Sequence, residues 1–156
     1  MNPARCGSSS TSVERVAFLP AQDGASGSVE SAGEAVRVLI VEDDYLIAMQ
    51  AEAALAEAGF EVVGVAASAE EAIELAASHR PSLLVVDVRL DGRRDGIDLA
   101  LELFRRCGIR SVFATAHFDS HARRRAEPAE PLGWLQKPYT MASLVELVRA
   151  AAERLR

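Results

Sequence analysis

The sequence predicts an α/β protein organised around a doubly wound, five-stranded parallel sheet. Two observations lead to this fold class. Short apolar segments alternate with helical patterns over most of the chain, and the segment Leu83–Asp87 consists of four apolar residues that run into one carboxylate. An apolar run this short, bounded by Arg80-Pro81-Ser82 and a glycine-containing loop, is typical of a strand buried on both faces. Such strands belong to parallel sheets that carry helices on each side.

The other elements follow in regular alternation from residue 36. The predicted strands cover residues 36–41, 60–66, 83–87, 111–114 and 133–136. The predicted helices cover residues 45–58, 68–79, 95–107 and 140–155. The second of these helices begins at a capping box, Ser68-Ala69-Glu70-Glu71, and the third ends at Gly108. The apolar residues expected on the inner face of the first helix are Leu46, Ile47, Ala54 and Leu55.

The stretch from residue 117 to 132 interrupts this alternation. A helix is due there, but the stretch has few apolar anchors, and Pro128 and Pro131 would stop a helix early. We therefore predict a short or irregular fourth helix. We interpret the run Arg123-Arg124-Arg125 as a solvated face, because runs of like charge usually stay hydrated.

Composition limits the class of protein. Hydrophobic residues make up 49% of the chain, and the net charge of −6 argues against non-specific binding to nucleic acid. No apolar run is long enough to span a bilayer, so no membrane insertion is expected. The two cysteines, Cys6 and Cys107, do not make a disulfide framework, which favours the cytoplasm as the location.

Residues 1–35 differ in composition from the rest. Small polar segments over residues 6–12 and 23–28 cannot bury enough apolar area to offset the entropy of ordering. The sequence therefore predicts a disordered N-terminal tail over residues 1–35 and one folded domain over residues 36–156.

Acidic residues stand where two of the predicted strands end. Glu42, Asp43 and Asp44 follow the first strand, and Asp87 ends the third. In the flavodoxin-like strand order 2-1-3-4-5 these strands are neighbours, so Glu42, Asp43 and Asp87 would converge. Like charges about 4 Å apart repel by roughly 4 kcal/mol at an effective dielectric constant near 20, so such a cluster needs a cation. A few hard oxygen ligands beside open water suit Mg²⁺.

Two more strand ends complete the predicted site. Thr115 places a hydroxyl at the end of the fourth strand, and Lys137 places an ammonium group at the end of the fifth. Because parallel strands end at one edge of a sheet, we expect both groups beside the acids.

These residues together resemble the receiver domain of two-component response regulators. The segments that carry the resemblance are Val38-Leu39-Ile40-Val41-Glu42-Asp43-Asp44, Leu84-Val85-Val86-Asp87, Thr115-Ala116 and Lys137-Pro138-Tyr139. It covers all but the first 35 or so residues. The segment Phe113-Ala114-Thr115 further resembles a subgroup of receivers that carries Phe-Ala-Thr at this strand end.

The resemblance implies a role for each residue of the site. Asp87 would accept a phosphoryl group from a histidine kinase or a phosphotransfer protein. Mg²⁺ would be held by Glu42, Asp43, Asp87 and the backbone carbonyl of Arg89. Lys137 would pair with the phosphoryl oxygens, and Thr115 would hydrogen-bond one of them after transfer. Trp134 falls where the family places a switch aromatic residue that follows the movement of this threonine.

The first interpretation is a stand-alone response regulator, not an enzyme, which signals through a partner protein or by onward phosphotransfer, because no output domain follows the last helix. One alternative is a pseudo-receiver that binds partners without being phosphorylated; the complete set of site residues argues against it. Another is a phosphatase of the haloacid dehalogenase type. That family requires a second aspartate two residues after the first, and position 89 is an arginine.

Overall fold

Strands and helices alternate along residues 35–156, the part of the chain that the computed structural model describes. The strands are β1 (Arg37–Val41), β2 (Glu61–Ala66), β3 (Leu83–Asp87), β4 (Arg110–Thr115) and β5 (Gly133–Gln136). The helices are α1 (Tyr45–Glu57), α2 (Ala69–His79), α3 (Gly96–Cys107), α4 (Ser120–Ala126) and α5 (Met141–Arg154). The predicted disordered tail lies outside the described residues except for its last residue, Ala35.

The five strands form one parallel sheet in the order β2-β1-β3-β4-β5, which confirms the predicted fold class. The register between β1 and β3 places Ile40 opposite Val85 and Val41 opposite Val86. The two residues that follow these pairs, Glu42 and Asp87, therefore leave the sheet at the same level and on the same edge.

The central strand β3 is buried along its whole length, as its apolar run predicts. Its side chains alternate between two separate cores. Leu84 and Val86 pack in the core beneath α2 and α3, whereas Leu83 and Val85 pack in the core beneath α1 and α5. Burying each such side chain contributes about 1.5–3 kcal/mol, so β3 holds the two layers of helices together.

The prediction of which residues form the inner face of α1 is only partly right. Leu55 is buried, and Ile47 and Ala54 are half-buried, but Leu46 is 64% exposed. The helix is set on the sheet by small residues, because Ala48 and Ala51 share one face with Leu55 at helical spacing. Leu46 lies two positions before Ala48, which turns it by about 200° away from that face.

The fourth helix is short, as predicted. It has seven residues and passes into a 3-10 turn, Glu127–Ala129, that contains Pro128. Its one buried residue is Ala126. Within residues 35–156, none of the helices combines the length and the apolar character that a membrane crossing requires.

Candidate functional site

The carboxyl ends of β1 and β3 bring three carboxylates together. One oxygen from each of Glu42, Asp43 and Asp87 lies within 4.8 Å of the other two. Glu42 and Asp87 are only 5% and 7% exposed. Since charged groups are rarely buried without a partner, these two side chains require a compensating positive charge.

Lys137 supplies part of that charge from the end of β5. Its Nζ atom donates hydrogen bonds of 2.8 Å to Oδ2 of Asp87 and 3.1 Å to Oε2 of Glu42. Its backbone N–H also donates to the carbonyl of Thr115, at 2.8 Å, so the loop after β5 is tied to β4. The predicted meeting of the lysine with both acids is therefore present in the structure.

Burial and neighbouring charges shift the pKa values of Glu42 and Lys137. Burial, reinforced by the charge of Asp87, raises the pKa of Glu42 to about 7, although the backbone N–H of Asp44 and the charge of Lys137 act against this rise. Burial alone would lower the pKa of Lys137, but its hydrogen bonds and attraction to Asp87 and Glu42 raise it. The carboxylates therefore outnumber the positive charges at the site, and the ammonium group of Lys137 is strongly attracted to Asp87 and Glu42.

Backbone N–H groups orient each carboxylate. The N–H of Arg89 donates to Oδ1 of Asp87 at 3.0 Å. The N–H of Asp91 reaches across from the β3–α3 loop to Oδ2 of Asp43 at 3.1 Å. Asp44, the third of the consecutive acids, has a different task, because its side chain caps α1 by accepting from the N–H groups of Leu46 and Ile47.

The donor set fits a divalent cation. With all three carboxylates ionised, the one ammonium group would leave a net charge of −2 at the site, which a dication would balance. Carboxylate oxygens at this spacing, beside an open cavity, are the ligands that Mg²⁺ prefers. Such an ion could be held by Glu42, Asp43 and Asp87. Arg89, whose carbonyl is the fourth predicted ligand, lies in the loop after β3 and lines the cavity beside the acids.

The cavity beside the acids measures about 680 Å³. Its lining includes Asp43, Asp87 and Thr115 on the sheet side, and His121 and Arg125 on α4. Thr115 is 4% exposed. Its hydroxyl donates to the carbonyl of His117 at 2.9 Å and accepts from the N–H of His117 at 3.1 Å, so it is engaged by its own loop.

Trp134 lies beside this loop in an aromatic cluster. Its ring stacks on Phe113, with centroids 4.7 Å apart, and meets the ring of Phe118 edge-on at 5.9 Å. The guanidinium of Arg123 covers Phe118 at 4.6 Å and Trp134 at 6.0 Å. The predicted switch residue is therefore half-buried and in contact with the segment that follows Thr115.

Sequence reasoning missed two features of the site. The N–H of Asp91 has no signature in the sequence, since every residue there but proline would offer it. The interpretation of Arg123-Arg124-Arg125 as a solvated face is right for Arg124 but wrong for Arg125, which is half-buried and forms ion pairs with Asp95 and Asp98. Asp95 is distant from Arg125 in sequence, so only the packing of α4 on α3 brings the two together.

Comparison with known proteins agrees with this geometry. The response regulator receiver domain matches residues 38–149. The chain is similar to the transcriptional regulatory protein PdtaR of Mycobacterium tuberculosis, with 39% identity over 120 residues, which is 77% of this chain and 58% of that protein. It is also similar to the phyllosphere-induced regulator PhyR of Methylorubrum extorquens, with 32% identity over 81% of this chain and 47% of the relative.

Among solved structures, the signal receiver domain of a modulated diguanylate cyclase from Desulfovibrio desulfuricans is similar. It has a TM-score of 0.71 and 33% identity, over 78% of this chain and 97% of that one. The chain spans about half the length of the curated relatives named above. Membership of the Phe-Ala-Thr subgroup stays a prediction. The match over most of the chain, together with the shared fold, shows that this protein belongs to the response regulator receiver domain family.

Proposed function

We propose that this protein is a signalling switch in which Asp87 accepts a phosphoryl group from a phosphohistidine of a histidine kinase or a phosphotransfer protein. The observation that carries the proposal is the setting of Asp87. Its carboxylate lies between two further acids, Glu42 and Asp43, and an ammonium group 2.8 Å away, at the edge of a cavity. Phosphoryl transfer needs mainly positioning and charge neutralisation, which this arrangement supports.

In the proposed reaction, an oxygen of Asp87 forms a bond to phosphorus with one of its electron pairs. The phosphorus–nitrogen bond of the donor breaks, and its electron pair leaves with the imidazole nitrogen, which takes up a proton. Lys137, whose Nζ donates to Asp87, would neutralise charge on the phosphoryl oxygens. The N–H of Arg89 holds the acceptor carboxylate in a defined orientation during the approach.

The acids would bind Mg²⁺ through Glu42, Asp43, Asp87 and the carbonyl of Arg89, and the ion would supply further charge neutralisation. After transfer, Thr115 would donate its hydroxyl to a phosphoryl oxygen. To do so it must release the carbonyl of His117, to which it now donates. That release would loosen the segment leading to Phe118, which contacts the ring of Trp134.

The output is proposed to be regulatory and not enzymatic. We infer that the phosphorylated form is recognised by a downstream partner protein, or passes its phosphoryl group onward, in the cytoplasm. The names of the relatives support a regulatory role, since PdtaR and PhyR are both called regulators. The net charge of −6 supports a protein partner over direct contact with nucleic acid.

The test is the intact mass of the protein after incubation with phosphoramidate, with and without Mg²⁺. We expect one phosphoryl adduct that depends on Mg²⁺, is located at Asp87 by fragmentation, and is absent from the Asp87→Ala variant. An adduct that survives this substitution would place the acceptor elsewhere. No adduct with phosphoramidate or with a panel of phosphorylated histidine kinases would contradict the proposal and favour a phosphorylation-independent binding module.

A further inference from the structure

Helix α4 is held on the protein by few apolar contacts. Of its seven residues, Ala126 is buried and Ala122 is half-buried, while the rest of its side chains are polar or charged. By comparison, α3 buries Ile97, Leu99 and Leu103. Alanine side chains offer little area to bury, so hydrophobic packing alone gives α4 a weak hold.

A single side chain, Arg125, supplies the polar part of the attachment to α3. Its two terminal nitrogens donate to the two carboxylate oxygens of Asp95, at 2.8 and 3.1 Å, and one of them also donates to Asp98 at 3.0 Å. A bidentate contact between arginine and a carboxylate is stronger and more directional than a single hydrogen bond between them. The contact with Asp95 also raises the pKa of Arg125.

The two acids are the capping box of α3. Asp95 accepts from the N–H of Asp98, and Asp98 accepts from the N–H of Asp95. The first residue of that helix, Gly96, donates its N–H to the carbonyl of Val88, next to the proposed acceptor. Arg125 therefore ties α4 to a rigid point at the far end of the loop that follows Asp87.

The attached segment closes one side of the cavity over Asp87. The cavity lined by Asp43, Asp87 and Thr115 is also lined by residues of this segment and of the loop before it, namely His117, Asp119, His121, Ala122 and Arg125. Asp87 is only 7% exposed and lines this cavity, so a phosphohistidine ring that enters through the cavity must pass this segment. The position of α4 thus decides how much room a donor has.

We propose that Arg125 is a latch: its ion pairs with the capping box of α3 hold the segment from residue 118 to 125 as a lid over the phosphoacceptor cavity. Opening the latch widens the cavity and admits a donor. That the cavity serves phosphoryl transfer rests on the function proposed above, but the latch itself is a property of the unphosphorylated protein and is tested without any donor.

Two donor-free measurements report on the lid. Hydrogen exchange follows the amides of residues 118–125 directly. Acrylamide quenching follows the one tryptophan of the sequence, Trp134, which Phe118 and Arg123 cover from the lid side. Arg125→Gln is expected to speed exchange of these amides roughly five-fold, the upper end for an exposed ion pair, and to increase quenching.

Matched variants separate the latch from general effects of charge. Arg124→Gln removes an exposed arginine of the same helix that forms no ion pair within residues 35–156, and should behave as wild type. Asp95→Asn keeps a side-chain acceptor for the helix cap but weakens the bidentate contact, so it should resemble Arg125→Gln, and the double variant should add little. Sodium chloride at 1 M should speed amide exchange and increase quenching in the wild type, because it screens the ion pairs of Arg125, but should leave both unchanged in Arg125→Gln.

Equal exchange and quenching in wild type and Arg125→Gln would overturn the latch, as would an Arg124→Gln variant with the same effect. With phosphoramidate and Mg²⁺, Arg125→Gln should form the Asp87 adduct faster than wild type by a similar factor. Failure of every variant to form the adduct would count against the proposed function alone, since exchange and quenching decide the latch separately.

Discussion

Lys137 and Asp87 are joined by a hydrogen bond of 2.8 Å between Nζ and Oδ2, although the two residues belong to different strand ends. The lysine side chain is 21% exposed and the aspartate side chain 8%. The pair therefore lies at the boundary between the sheet edge and solvent, where a cation and a phosphoryl group could both reach it.

Replacing Lys137 by methionine should destabilise the metal-free protein by about 2 kcal/mol, because Glu42 and Asp87 lose the charge that compensates their burial. Chemical unfolding in urea measures this. Saturating Mg²⁺ should restore more stability to Lys137→Met than to wild type, since the ion replaces the missing charge. Equal unfolding midpoints of the two proteins without Mg²⁺ would show that the ammonium does not support the acids.

Gly96 should not tolerate a side chain. A Cβ atom there would lie 2.1 Å from the carbonyl oxygen of Asp87 and 2.6 Å from Cγ1 of Val86. Gly96→Ala should therefore cost about 2 kcal/mol and reduce the yield of phosphorylated protein, because the acceptor strand end must shift. Gly64→Ala is the control, since its Cβ would meet the flexible end of Leu75 at 3.2 Å and that of Leu39 at an ordinary 3.5 Å; a similar loss in both variants would contradict the steric argument.

The charge of Asp95 should make the free energy of unfolding depend on pH in the acidic range. Burial would raise the pKa of Asp95, but the hydrogen bonds from Arg125 and the N–H of Asp98 outweigh it and lower the pKa below its ordinary value. A carboxyl with a lowered pKa in the folded state stabilises it fully above the unfolded pKa, near 3.9, and loses that contribution as the pH falls through the folded value.

The free energy of unfolding of wild type should accordingly exceed that of Asp95→Asn at pH 7, and the difference should shrink as the pH falls below about 4. Denaturant unfolding at a series of pH values measures it. A difference that stays constant down to pH 2 would mean that the charge of Asp95 contributes nothing.

Replacing Ser111 by alanine should make the protein more stable. Its side chain lies in β4 with 0% exposure, and its hydroxyl has no hydrogen-bond partner within residues 35–156. Removing an unsatisfied buried hydroxyl should add about 1 kcal/mol to the free energy of unfolding. Ser68→Ala should change it in the opposite direction by about 1 kcal/mol, because Ser68 caps α2 by accepting from the N–H of Glu71. A loss of stability in both variants would show that Ser111 has a partner in solution.

The local pattern of the sequence was sufficient to predict the strand ends that build the site. Runs such as Leu83–Asp87 identify buried strands, and parallel strands end at one edge of a sheet. Together with the strand order 2-1-3-4-5, the residues that end the strands are enough to predict that Glu42, Asp87 and Lys137 lie close together. The same reasoning predicted a short α4, because the prolines that stop it act locally.

The tertiary structure alone decided the contacts between elements whose spacing along the chain carries no signal. The exposure of Leu46 depends on how α1 lies on the sheet, and the pairing of Arg125 with Asp95 depends on where α4 settles against α3. The sequence does not distinguish the three consecutive arginines from one another. Only the rotation of the helix brings one guanidinium group to an acid and leaves another in water.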